Sequence, residues 1–466
     1  GTSDLCIGNE KTIRFMKDVL SEVIELFPSE YIHIGGDECP KENWKTCPVC
    51  QKKIRDEQLK DEHELQSYFT KRIEKFVNSK GKKIIGWDEI LEGGLAPNAV
   101  IMSWRGEAGG IAAARQNHYV IMTPENPLYI NHSQTRNEDS VTQGQYNPIE
   151  NVYNYDPVPK ELTVQQAKYI MGAQGNMWSE YLDNEKKLEY MLFPRLAAVA
   201  EVLWTAKQNK NWNEFEKRLP AILNRYAFQG INYSTAYYDL QPSVTQISNG
   251  IIGWKLDARK QDGHIIYVTD SMMNATKTYS GPVMIDKTGN YGAALTDNDN
   301  KIVSNWVWQH FNLNLATGKP IRLTTPPNKN YSVGGAFSLV DGIQNEKGML
   351  RSAQFLGFNG KDMEAVIDLG AEQTISEIVL HAFEQKGSWI YKPAAVSFFS
   401  SNDGINFQPI EVPVIVAGTK NLLYSALTTT RTRYIKVLAK NNGIIATGEP
   451  GAGNPSWLFA DEIEVK

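Results

Sequence analysis

The sequence predicts an α/β domain of parallel βα units in its first half and all-β domains in its second. Three observations lead there. Short β-branched or aromatic runs alternate with stretches of helical apolar spacing as far as about residue 240. Each run closes on a polar or aromatic residue suited to a site, as happens where the loops after parallel strands carry the chemistry. Beyond residue 241 the pattern changes to short strands separated by turn residues. The first two point to a (β/α)8 TIM barrel, of which about five units are counted here where closure takes eight.

The elements follow in order. Ile13, Phe15, Met16, Val19, Leu20, Val23, Ile24 and Phe27 recur at helical spacing, and Pro28 stops the helix. Tyr31 to Ile34 form a strand. Leu65, Tyr68, Phe69, Ile73 and Phe76 mark a helix over 61–79, and Lys83 to Trp87 a second strand. Residues 99–104 predict a third strand, the alanine-rich 108–115 a helix, 119–122 a fourth strand and 170–174 a fifth. Leu188 to Ala206 and Trp212 to Ala227 read as two further helices.

The first strand leads through Gly35-Gly36 to Asp37-Glu38. Successive strand residues face opposite ways, so these carboxylates share one pocket only if the strand breaks there, which glycines permit. Adjacent carboxylates in a pocket suit acid/base work because packing separates their proton affinities. A solvated acidic turn is the plainer alternative. Trp87 and Trp104 are either strand-end site residues or core aromatics. Tyr129 follows Pro127, Asn131 lies in a turn-like stretch, and Glu180 suits a helix's first turn. Asp88-Glu89 reads as a capping or supporting pair, and Arg195 and Trp204 as structural.

The 466 residues carry a net charge of -5, which argues against a nucleic-acid partner. No run of about 18 apolar residues suggests a membrane span. The 11 Trp and 21 Tyr suit carbohydrate, whose ring faces stack on aromatic planes. Cys6, Cys39, Cys47 and Cys50 fall in the first fifty residues. A structural disulfide or buried thiols are expected of them in preference to a metal site.

His33-Ile-Gly-Gly-Asp-Glu38 resembles the signature of the family 20 glycoside hydrolases, the β-N-acetylhexosaminidases. Gly86-Trp-Asp-Glu89, Ser103-Trp104, Pro127-Leu-Tyr-Ile-Asn131 and Asn176-Met-Trp-Ser-Glu180 resemble the family's later active-site segments, in order. The resemblance covers about residues 9–240. It implies Asp37, Glu38 and Tyr129 as catalytic residues, with Trp87, Trp104, Asn131, Trp178 and Glu180 around the sugar, and no required cofactor. It implies glycan substrates ending in N-acetylhexosamine, handled one terminal sugar at a time, and a periplasmic, cell-surface or secreted location. It also implies that the first three barrel strands, with an arginine for the sugar hydroxyls and an aspartate and histidine coupled to the acid, lie upstream.

Residues 1–241 are thus expected to be the C-terminal part of the barrel. Residues 242–323 resemble the immunoglobulin-like module that follows such barrels in bacteria, and residues 330–466 resemble a discoidin-type jelly roll, shared with family 32 carbohydrate-binding modules. That second resemblance implies glycan contacts through Trp389, Tyr391 or Trp457, and admits a structural calcium ion near Asp341.

Overall fold

The protein is described by a computed structural model covering residues 4–135, 142, 146–259, 263–269 and 275–466. It divides into two compact units, residues 1–134 with 142–234, and residues 135–141 with 235–466.

The first unit is TIM-barrel-like α/β. Its strands β1 (Tyr31–His33), β2 (Lys83–Trp87), β3 (Val100–Ser103), β4 (Val120–Met122) and β5 (Ile170–Ala173) pair in parallel in chain order. The helices between and after them are α1 (Glu10–Leu26), α2 (Glu42–Thr46), α3 (Pro48–Asp56), α4 (Glu62–Ser79), α5 (Ala108–Arg115), α6 (Glu125–Leu128), α7 (Ile149–Asn154), α8 (Val164–Ala167), α9 (Glu185–Leu192), α10 (Arg195–Trp204) and α11 (Trp212–Phe228). Every residue of β3 is buried, as parallel strands covered on both faces require. Leu65, Ile73 and Val77 of α4 and Ala113 and Ala114 of α5 supply buried side chains on the covering helices.

Local chemistry explains the ends. Asn9 caps α1 through its side chain, Asp61 caps α4 and Asn211 caps α11. Three details differ from expectation. The predicted helix over 188–206 is two helices, because Phe193-Pro194 interrupts it and proline cannot donate the next helical hydrogen bond. The cysteine-rich stretch 42–56, which shows no clear apolar period, forms α2 and α3. Of the apolar face predicted for α1, only Ile13 and Leu20 are buried, and Phe15, Val19 and Phe27 are exposed. No helix among the described residues is long and apolar enough to cross a membrane.

The second unit is all β. Strands β6 (Gln241–Ser248), β7 (Ile251–Asp257) and β10 (Val283–Ile285) make a three-stranded sheet. Strands β8 (Ile265–Val268), β9 (Lys277–Thr278), β11 (Gly289–Leu295) and β12 (Val307–Phe311) make a four-stranded one. Trp254, Tyr291 and Phe311 pack edge to face within their shared core. The third sheet has eight strands, β13 (Ile321–Leu323), β14 (Leu356–Asn359), β15 (Met363–Phe383), β16 (Ala395–Ser401), β17 (Gln408–Pro409), β18 (Ile415–Ala417), β19 (Asn421–Lys440) and β20 (Trp457–Val465). The runs 365–370 and 375–378 are parts of one 21-residue strand, β15, whose register against β19 shifts after Asp368 and again after Ile375.

Candidate active site

The ladder between β1 and β2 persists to Gly35, whose carbonyl accepts from the Trp87 amide at 3.0 Å. The chain then leaves the sheet through Gly35 (φ 71°) and Gly36 (φ 102°). A Cβ on Gly36 would lie 2.4 Å from Cγ2 of Ile90, so the turn needs glycine for both conformation and space. Gln66 on α4 donates to the Gly36 carbonyl at 2.9 Å and holds the turn in place. Gly36→Ala is therefore expected to destabilise the unit by about 1–3 kcal/mol. A denaturant midpoint equal to that of the parent would contradict this.

Asp37 and Glu38 emerge exposed beyond the turn, Glu38 with left-handed backbone at φ 44°. The break that two adjacent acids need is therefore present. Behind them His33 stands 4.8 Å from Trp87, ring centre to ring centre, and burial lowers the His33 pKa while the nearby Asp37 works against that shift.

The strand ends bring the other aromatic candidates together. Trp87, the last residue of β2, lies 5.9 Å from Trp178; Trp178 lies 5.8 Å from Tyr129; and Tyr129 stacks with Trp104 at 6.4 Å and 14°. Residues from four separate strand ends thus form one continuous wall. Trp178 is the exposed member and Tyr129 the buried one, at 7%. Burial pushes the Tyr129 hydroxyl up to about 12, so it stays protonated and able to donate. Asn131 is buried close by in sequence, while Glu180 is exposed on the turn before α9.

Of the two readings of Asp88-Glu89, capping and support, the structure fits support. Both are buried. Glu89 accepts from the Trp104 indole at 2.9 Å, and Asp88 accepts from Nε of Arg105 at 2.8 Å. Burial raises the Asp88 carboxyl above the usual range even with Arg105 opposing it. The signal was available: an acidic pair directly behind a strand-end Trp sits where polar groups are enclosed and must find partners.

Arg195, read as structural, is fully buried on α10. It donates to the carbonyls of His132 (2.8 Å), Asn147 (2.9 Å), Met191 (2.8 Å) and Ile130, so it gathers the loop that carries Tyr129 and Asn131. Burial, then the Arg195 guanidinium, push the neighbouring His132 imidazole down to about 4. Glu125, with Oε1 3.7 Å from Nε2, is largely exposed and does not offset this. The unfolded chain binds a proton on His132 near pH 6.5, which the folded unit refuses. Stability is therefore complete above about pH 6.5 and falls as pH drops towards 4, by on the order of 3 kcal/mol. Unfolding free energies at pH 7 and pH 4 should show that loss, and His132→Asn should reduce it; an unchanged pH slope in the variant would refute the assignment.

In the second unit, Trp389 is exposed, but Tyr391 is buried and donates to the Pro450 carbonyl at 2.8 Å. Trp457 packs against Tyr331 at 5.3 Å. Two of the three aromatics proposed for glycan contact thus spend their surface on packing. A concavity on the eight-stranded sheet, lined by Arg322, Asp368, Gly404 and Tyr434, includes none of the three.

Carboxylates at the strand ends, together with indole planes that match the apolar face of a pyranose, are an arrangement suited to glycoside hydrolysis. Residues 1–207 match the family model described as glycosyl hydrolase family 20, catalytic domain. It is 54% identical over 230 residues to a β-hexosaminidase of Porphyromonas gingivalis, covering 49% of this chain and 30% of that protein. A β-hexosaminidase of Vibrio furnissii is 37% identical over 195 residues, covering 41% and 32%. A solved exo-β-N-acetylglucosaminidase of Vibrio harveyi aligns at 33% identity with a TM-score of 0.46, over 49% of this chain and 36% of that one. The chain therefore spans about a third of the length of the relatives it matches.

Proposed function

We propose that the first unit carries the proton-transfer part of an exo-acting β-N-acetylhexosaminidase site, removing terminal N-acetylglucosamine or N-acetylgalactosamine from glycans with retention of configuration. The observation that supports this most is the continuous wall of Trp87, Trp178, Tyr129 and Trp104, joined through Trp87 to His33 on the strand that leads to Asp37-Glu38. In the proposed reaction the substrate's acetamide oxygen attacks the anomeric carbon while Glu38 protonates the departing oxygen. Asp37 accepts the acetamide N–H, aligning the oxygen and balancing the positive charge of the oxazolinium. Tyr129 donates to the acetamide oxygen from the other side. Water then opens the oxazolinium, and Glu38 takes its proton. Trp87 and Trp104 enclose the acetamide methyl, Trp178 stacks on the sugar, and Asn131 and Glu180 bond its distal hydroxyls. No cofactor enters this chemistry. Glycan substrates of this kind place the enzyme in the periplasm, at the cell surface or outside the cell.

The test is hydrolysis of p-nitrophenyl N-acetyl-β-glucosaminide and its galacto epimer by the 466-residue chain and by a form extended upstream, with the product anomer followed by NMR. A β-anomer released first supports the reading, and activity confined to the extended form assigns this chain as one part of the catalyst. An α-anomer, or no hydrolysis by either form, overturns it.

For the second unit the proposal is a glycan-binding module with a calcium ion held by Asp341 and Glu462. Glu462 is buried and its Oε2 has no hydrogen-bond partner, Asp341 is partly buried, and burial raises both pKa values well above the usual range. A hard cation would relieve that burden, with backbone carbonyls completing its shell. Chelation should then lower the melting temperature and calcium restore it; an unaltered melting temperature would exclude the ion.

A further inference from the structure

The proposed hydrolysis uses none of the four cysteines, yet three of them converge. Cys6 lies on the loop before α1, Cys47 immediately precedes α3 and Cys50 lies in its first turn. The Cys6 sulfur is 3.6 Å from that of Cys47 and 3.7 Å from that of Cys50, and all three lie within 4.8 Å of one another. Covalently bonded sulfurs sit about 2.05 Å apart, so of the two readings, disulfide or thiols, these are thiols. The separations instead match the edge of a tetrahedron of thiolates around a metal, where bonds of about 2.3 Å place sulfurs roughly 3.8 Å apart.

One further feature shows a built site. A Cβ on Gly8 would lie 2.7 Å from Cα of Cys50 and 2.8 Å from the Val49 carbonyl oxygen, so only glycine lets the Cys6 loop approach the Cys47–Cys50 turn this closely. The Trp44 indole donates to the Leu5 carbonyl at 2.9 Å, and Ile7, Trp44, Ile54 and Leu65 pack against the cysteines, of which Cys50 is buried and Cys6 and Cys47 partly so.

We propose that Cys6, Cys47 and Cys50 bind one zinc ion as three thiolates, pinning the segment that follows Glu38 to the loop before α1. Binding releases the three thiol protons, and soft sulfur donors select zinc over calcium or magnesium. Cys39 packs beside the cluster but lies outside the three-sulfur set, so it is not a ligand. The ion's role is structural: it fixes the base of the loop that presents the acid.

The test takes the full chain, purified reduced and without chelator. Elemental analysis should find close to one zinc per chain, and cobalt(II) titrated into the stripped, reduced protein should give a thiolate-to-metal charge-transfer band with intense tetrahedral ligand-field absorption. Cys6→Ser, Cys47→Ser and Cys50→Ser should each abolish that band or weaken zinc binding at least about tenfold. Cys39→Ser should retain both. Should the serine variants fail to fold, the cobalt spectrum of the parent decides alone. Cobalt bound without charge transfer, no binding, or a metal-free chain isolated with a disulfide within the trio overturns the proposal.

Discussion

Glu38→Gln is expected to lower kcat on an N-acetyl-β-glucosaminide by about 10²–10⁴-fold, the range for losing one proton-transfer group. Glutamine keeps the size and the hydrogen-bonding reach of the side chain but can neither give a proton to the leaving oxygen nor take one from water. The loss should be largest for substrates with poor leaving groups, which need the proton most. With an activated aryl leaving group the first step should recover, and intermediate breakdown should become limiting. Asp37→Asn should show the converse, with intermediate formation impaired for every leaving group. Unchanged turnover by Glu38→Gln, in whichever form of the protein hydrolyses the substrate, would remove Glu38 from the reaction.

Arg195→Met should destabilise the α/β unit by more than about 4 kcal/mol. The side chain is fully buried and serves four backbone carbonyls. Methionine fills much of the volume but donates nothing, and each buried carbonyl left unpaired costs about 1–3 kcal/mol. Because two of those carbonyls belong to Ile130 and His132, the loop with Tyr129 and Asn131 should loosen before the rest of the unit opens. Denaturant unfolding followed by tryptophan fluorescence measures the first effect, and hydrogen exchange at residues 129–133 the second. A change below about 1 kcal/mol would show that relaxation and water replace the guanidinium.

The parallel βα succession was legible because the strands are short β-branched runs and α1, α4 and α11 have a clear apolar period, and all five predicted strands form in parallel pairs. What the period could not supply was the break at Pro194 or the helices between Glu42 and Asp56, where polar and cysteine residues blur it. The site followed the same division. Trp87 and Trp104 were legible as strand-end residues, Tyr129 and Trp178 through the resemblance of their motifs, and the four do meet. The burial of Asp88 and Glu89 was not, because a carboxylate is enclosed only where a specific donor reaches it, and Arg105 and Trp104 are such donors by folding, not by spacing.

The left-handed backbone at Glu38 sets stability against catalysis at one position. A non-glycine residue at φ 44° is held at a cost of about 1 kcal/mol. Glycine or asparagine there would be more comfortable than the acid. An unguided search for heat-resistant variants would therefore drift towards those residues at position 38 and enrich stable, inert proteins. Selection for thermostability in this chain has to be coupled to turnover, or it will discard first the residue proposed here as the proton donor.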